Sequence, residues 1–183
     1  MPCDLSSIIA DVTLDCNDIP IGGLTAVYIV RNQHIASFTE TDGELTAISF
    51  GTPNEVVNLE FNYKDGFSRF TDVKTVDDAG VVTAVPTVLV EFPKMTLAKR
   101  NAIELLTASG SELVAFIETA AGVRHAVGLD FGLWGSEANG QSGTGRSEKN
   151  KYDVKLEGEE TNLARQIDDA TWAAIQSNAK PIV

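Results

Sequence analysis

The spacing of turn signals constrains this chain more than any other feature. Pro20-Ile21-Gly22-Gly23, Asp42-Gly43, Asp65-Gly66, Asp77-Asp78-Ala79-Gly80 and Ala120-Ala121-Gly122 divide it into short runs rich in β-branched and aromatic residues. Such punctuation argues for strands joined by hairpins. Residues 24–30 (LTAVYIV) follow the first breaker, and residues 45–50 follow Asp42-Gly43, a type I′ hairpin signal. Residues 56–63 alternate Val57, Leu59, Phe61 and Tyr63 with Asn58, Glu60 and Asn62, a period of two. Residues 67–76 continue as a strand in which Phe70 and Val73 are expected in the core. Residues 81–92 form a long β-branched run, and Pro86 within it predicts an edge strand or a bulge because proline cannot donate to a ladder. Residues 113–119 and 123–131 pair across Ala120-Ala121-Gly122, and residues 151–157 place Tyr152, Val154 and Leu156 on one face.

Two segments carry helical spacing instead. Thr96 is a candidate N-cap for residues 96–109, whose Leu97, Ala98, Ala102, Ile103, Leu105 and Leu106 share one apolar stripe. That stripe is expected to pack on a sheet face, with Lys99, Arg100 and Glu104 toward water and Gly110 ending the helix. Residues 168–178 fit a short terminal helix, with acids at its start and Trp172 and Ile175 as anchors. Residues 135–150 (GSEANGQSGTGRSEKN) hold four glycines and no aliphatic side chain larger than alanine, so they predict a long polar loop. The expected architecture is therefore a β-rich α+β fold: an antiparallel β-sandwich or barrel with one flanking helix at about 96–109. An N-terminal arm, residues 1–23, precedes a single sandwich-like domain over residues 24–183 that carries the extended loop 135–150.

With 43% apolar residues in 183, the chain can bury a core, and its charge then narrows its partners. Fourteen Lys and Arg against 26 Asp and Glu leave a net charge of -12. Such a surface repels phosphate backbones and anionic lipid, so neither specific nucleic-acid binding nor membrane docking is expected. Met1-Pro2-Cys3-Asp4 lacks a basic leader and no apolar run has membrane-spanning length, so a cytoplasmic origin is the default. Cys3 and Cys16 lie near no histidine and match no zinc or thioredoxin spacing, which reads as two idle thiols of a reducing compartment.

Catalytic patterns fail one by one. Gly140-Gln141-Ser142-Gly143-Thr144-Gly145-Arg146-Ser147 has the spacing of a phosphate-binding loop, with Arg where that loop needs Lys. The chemistry demands a helix next, and residues 148–156 read as a strand. His34 and His125 are the only histidines, no Gly-x-Ser-x-Gly elbow exists, and both histidines read as structural. Asp77-Asp78, Glu159-Glu160 and Asp168-Asp169 are adjacent acids; on a strand such neighbours point to opposite faces, so they form no glycosidase dyad. Residues 71–80 lack the ligand spacing of a calcium loop, and solvated turn acids are the favoured reading there. Trp134, Trp172 and three tyrosines do not interleave with basic residues, although one or two exposed aromatics suffice to stack on a sugar. No catalytic, cofactor-binding or metal-ligating residue is assigned, and a non-enzymatic protein is expected.

Two segments resemble a known family. Cys3-Asp4-Leu5, continuing to Asp15-Cys16-Asn17-Asp18-Ile19-Pro20-Ile21-Gly22-Gly23-Leu24, resembles the start of small tail proteins of phages and prophages from Bacteroides-like bacteria. Gly128-Leu129-Asp130-Phe131-Gly132-Leu133, the Gly143-Thr144-Gly145 loop and residues 150–160, ending in Gly158-Glu159-Glu160, are similar to that family's glycine-rich hairpin and following strand. The resemblance implies a tail tube protein of the virion, made in the host cytoplasm. Its fold would be a β-sandwich flanked by a helix, its partners other copies in a ring (hexameric in that family) and other tail proteins. Rings would stack into a tube for DNA passage, with residues 1–23 and 135–150 reaching neighbouring subunits. The competing expectation is a monomeric β-sandwich binding module for carbohydrate or a cell-surface partner.

Overall fold

The computed structural model describes residues 22–51, 56–61, 67–108, 110, 112–145 and 148–181. Its strands are β1 (Leu24–Arg31), β2 (Ile35–Thr41), β3 (Glu44–Phe50), β4 (Val56–Asn58), β5 (Arg69–Val76) and β6 (Val82–Pro93). Helix α1 (Leu97–Leu106) follows, then β7 (Leu113–Thr119), β8 (Arg124–Val127), β9 (Leu133–Gln141), β10 (Lys151–Gly158) and β11 (Arg165–Ile167). Helix α2 (Asp169–Ser177) and β12 (Ala179–Pro181) end the chain.

The strands form one hydrogen-bonded sheet that folds over at β7. One side of β7 pairs with β1 along its length, and β4 and β12 continue outward from β1. On its other side β7 meets β8 at residues 115–118 and β9 at the single pair Leu113–Leu133. Two wings diverge from this corner: β8-β11-β3-β2 and β9-β10-β6-β5. Val27, Ile29, Ala115 and Ile117 of β1 and β7 face Val88, Val90, Val154 and Leu156 of β6 and β10 in one buried cluster. The opposite face of β1 and β7, with Tyr28, Val30, Val114 and Phe116, is covered by Trp172 and Ile175 of α2. Strand β7 is therefore buried on both sides. The fold is β-rich α+β as expected, with two departures. The sheet is mixed, because β11–β3 and β12–β4 run parallel, and the barrel does not close.

Local chemistry explains most elements. Asp42 and Gly43 both have positive φ, 52° and 85°, as a type I′ hairpin requires. Thr96 caps α1 by accepting the Lys99 N–H at 3.3 Å, and Asp168 caps α2 by accepting the Thr171 N–H at 2.7 Å. Val57, Leu59 and Phe61 do share the core face, although the strand there ends at Asn58.

Several expectations need correction. Phe70 packs on the core but Val73 is 55% exposed. The two residues are an odd number apart on β5, so they cannot share a face. Pro86 lies on neither an edge nor a bulge: β6 pairs with β5 on one side and with β10 and Glu160 on the other. The β10 ladder stops at Thr87–Glu157 and resumes at Ala84–Glu160, so Pro86 occupies the interval where a donor is missing. Only Ile103 of the α1 stripe is fully buried, while Leu97 and Leu105 are exposed, because α1 touches the sheet through one turn.

The expected loop 135–150 is also shorter than its composition suggests. Residues 133–141 are β9, paired with β10 from Gly158–Leu133 to Lys151–Gln141, and the loop proper is 142–150. Glycines in β9 mark close approach. A Cβ on Gly140 would lie 2.8 Å from the Tyr152 ring, and one on Gly135 would lie 2.8 Å from Thr107 Cα.

Candidate functional site

The strongest site geometry gathers where the β8–β9 turn, the start of β6 and the β10–β11 connection meet. Glu160 is fixed there by its backbone, which exchanges hydrogen bonds with Ala84 at 2.7 and 2.8 Å. Its carboxylate is 5% exposed as part of the whole residue and accepts the backbone N–H groups of Asp130 and Phe131, both at 3.2 Å. Burial pushes the Glu160 carboxyl up to about 7, and the adjacent Asp130 carboxylate adds to the rise against the opposing pull of the Phe131 N–H. Arg165 Nη2 donates to both carboxylate oxygens of Asp130, at 2.8 and 3.1 Å, and Arg165 also pairs with Glu40 of β2.

Beside Glu160 opens a cleft of about 400 Å³ lined by Val82, Thr83, Phe131, Trp134, Glu159 and Thr161. Phe131 is 61% exposed and Trp134 46%, so two large aromatic side chains stand at an acid-bearing hollow. The β9–β10 ladder, which sets Glu157 opposite Trp134 and Gly158 opposite Leu133, carries Glu160 to Phe131, and the bridge to Ala84 adds Val82 and Thr83 across 76 residues of sequence, a range that local patterning does not reveal.

A second polar cluster lies along the seam where β5 comes back toward β8. Phe70 stacks on His125 with ring centroids 5.5 Å apart, and Ala164 N–H donates to Asp72 at 2.7 Å. Burial lowers the pKa of His125. Its Nδ1 and Asp72 Oδ1 are buried without hydrogen-bond partners.

Among the described residues, no helix follows the phosphate-loop spacing. The next described element after residues 142–145 is strand β10, and Glu148 places its own carboxylate on the Thr144 N–H and hydroxyl. Asp77 likewise uses Oδ1 to accept the Ala79 and Val81 N–H groups at 2.9 and 2.8 Å, which closes the β5–β6 turn. Among the described residues no group of three His, Cys, Asp or Glu side chains converges as a metal site requires, and no helix is long and apolar enough to cross a membrane. Cys3, Cys16 and the arm before Gly22 lie outside the described residues.

The outermost strands matter as much as the cleft. Among the described residues β2 pairs only with β3, β5 only with β6 and the three-residue β12 only with β4, so each presents one backbone edge that no described strand covers. Six of the seven β2 residues and six of the eight β5 residues are exposed, with Val73 and Val76 among them. Comparison with protein-family models, curated proteins and solved structures finds no match to this chain.

Proposed function

We propose that this chain is a non-enzymatic structural subunit of a phage tail, forming rings that stack into the tail tube through which DNA passes. The observation that carries this reading is that one folded sheet does not close on itself and, among the described residues, leaves the outer edges of β2, β5 and the short β12 unpaired. A long exposed edge is a template for pairing with another chain, and soluble monomers blunt such edges or cover them. Here β5 keeps Val73 and Val76 exposed across eight residues, with Lys74 the only charge between them. Two different edges joining head to tail make a heterologous contact, the kind that closes into rings. The resemblance of residues 3–24 and 128–160 to tail proteins points the same way. The net charge of -12 suits a lumen that passes DNA without gripping it.

Negative-stain microscopy with light scattering on concentrated protein tests the reading. Rings or tubes are expected, and Lys74→Pro, which places a ring on the outward side of β5 and spares its ladder to β6, is expected to abolish them. A strictly monomeric species at every concentration would overturn it. The second reading, a monomeric β-sandwich binding module, is favoured by the exposed Phe131 and Trp134 beside Glu160. It predicts a monomer with saturable ligand binding.

A further inference from the structure

Three aromatic rings elsewhere in the chain are already covered by the chain's own cations. Lys151 Nζ sits 3.6 Å from the Phe67 ring centre, the Arg124 guanidinium 5.3 Å from Trp172 and that of Arg165 5.8 Å from Phe38. Trp134 and Phe131 differ: among the described residues neither ring receives a cation, and both are open to solvent. Among the described residues, the cleft between them is lined by Glu159 and Glu160 and by no Lys, Arg or His. Arg165, which binds the neighbouring Asp130, is engaged by that carboxylate and by Glu40.

We infer that the cleft bounded by Trp134, Phe131 and Glu160 is a binding site for a small organic cation, an alkylammonium or guanidinium group. A positive charge over an indole face is attracted by the ring quadrupole, and the attraction strengthens when a carboxylate flanks it away from bulk water. Anions are repelled by the same acids. A neutral sugar would use the rings yet leave the local negative field uncompensated. The volume of about 400 Å³ admits a guanidinium or quaternary ammonium head together with a short apolar body against Val82.

Ionisation of Glu160 supports the assignment. The charged groups around it are Asp130 on the β8–β9 turn, Glu159 beside it and Arg165 at the start of β11; the facing segment of β6, residues 81–84, contributes none. An arriving cation favours the carboxylate form, so affinity is expected to rise from pH 6 to pH 8 as Glu160, with its pKa near 7, gives up its proton.

The test is calorimetric titration of the full-length chain with tetramethylammonium chloride and with N-acetyl-argininamide, with Trp fluorescence read in parallel. Trp134 is the exposed reporter, since Trp172 is buried. Sodium chloride at equal ionic strength and methyl glucoside serve as controls. Saturable binding of both cations is expected, weakened about fivefold or more by Trp134→Ala and by Glu160→Gln, and largely kept by Trp134→Phe. Trp134→Ala, at a half-exposed position, keeps the test decisive if Glu160→Gln fails to fold. A response matched by sodium chloride, an affinity unchanged by both variants, or saturable binding of the glucoside without the cations would each overturn the inference.

Discussion

Glu91 and Lys151 form an ion pair at 2.8 Å on the face of the β6–β10 ladder that points away from the apolar core. Glu91 lies directly opposite Asp153 in register, so two carboxylates meet across the ladder. Lys151 answers both, reaching Asp153 at 3.2 Å while its Nζ lies under the Phe67 ring. Lys149 adds a longer contact to Glu91 at 3.4 Å. Glu91 is 1% exposed, which makes it the most deeply buried acid in the described residues.

Removing one partner of such a pair strands the other. Lys151→Met is expected to cost about 3–5 kcal/mol, because Glu91 would keep its charge without its nearest counterion. Glu91→Leu combined with Lys151→Met should recover part of that loss, since it removes the buried charge of Glu91 but takes Lys151 from Asp153 and Glu91 from Lys149. Urea denaturation of both single variants and the double variant measures the coupling. Additive losses in the double variant would show that the pair does not act as a unit.

Helix α1 depends on one close approach. Gly135 of β9 sits so near the helix that an added Cβ would lie 2.7 Å from Thr107 Cγ2 and 2.9 Å from Leu106 O. Two of the three nearest atoms are backbone, which cannot rotate away. Gly135→Ala is therefore expected to push α1 off the sheet and destabilise by about 1–3 kcal/mol. Hydrogen exchange should localise the loosening to residues 97–107, with β6 and β10 unaffected. Uniform loss of protection would contradict this.

Glu160 gives stability a definite pH slope. Its folded pKa, about 7, lies above the ordinary carboxyl value of 4.5, so the folded state holds a proton that the unfolded state releases. The contribution is full below pH 4.5 and is lost as pH rises through 7. Its upper bound is about 3 kcal/mol. His125 has the opposite sense: its lowered pKa gives stability above the unfolded value that is lost as pH falls through the folded one. Denaturation at pH 5 and pH 7.5 should show wild type losing more stability over that interval than Glu160→Gln. The reverse ordering would reject the assignment.

What could be read from the sequence follows the range of the interactions. The turns at Asp42-Gly43, Asp77 to Gly80 and Ala120 to Gly122, the Thr96 cap and the alternation of Tyr152, Val154 and Leu156 are local, and each is where the residues place it, while Asp65-Gly66 lies outside the described residues. β9 was hidden because Gly135, Ser136, Asn139 and Gly140 have no strand preference of their own; the register with β10 imposes the conformation. The short parallel partners β11 and β12 carry three residues each and follow from tertiary pairing alone. The cleft was hidden for a related reason, since Glu160 reads as one of two turn acids until the bridge to Ala84 buries it.

The β9–β10 hairpin separates folding from assembly. Deleting all of residues 135–150 would remove most of β9, whose ladder with β10 supports the second wing, and the fold would suffer. A narrower change spares it. Replacing residues 142–148 by Asn-Gly keeps Lys149 on Glu91 and keeps Asn150, whose Oδ1 accepts the Met95 N–H at 2.9 Å and whose carbonyl accepts the Lys94 N–H at 2.8 Å. The described residues of the lost segment are exposed apart from the half-buried Gly143, and the contact of Thr144 with Glu148 stays within it. Its removal is therefore expected to change stability by less than about 0.5 kcal/mol, the usual scale for surface positions. If the tip reaches a neighbouring subunit, the same variant will remain monomeric by light scattering under conditions where the wild-type chain forms rings. Rings from the shortened chain would remove the tip from the interface and leave the β2 and β5 edges as the contacts to test next.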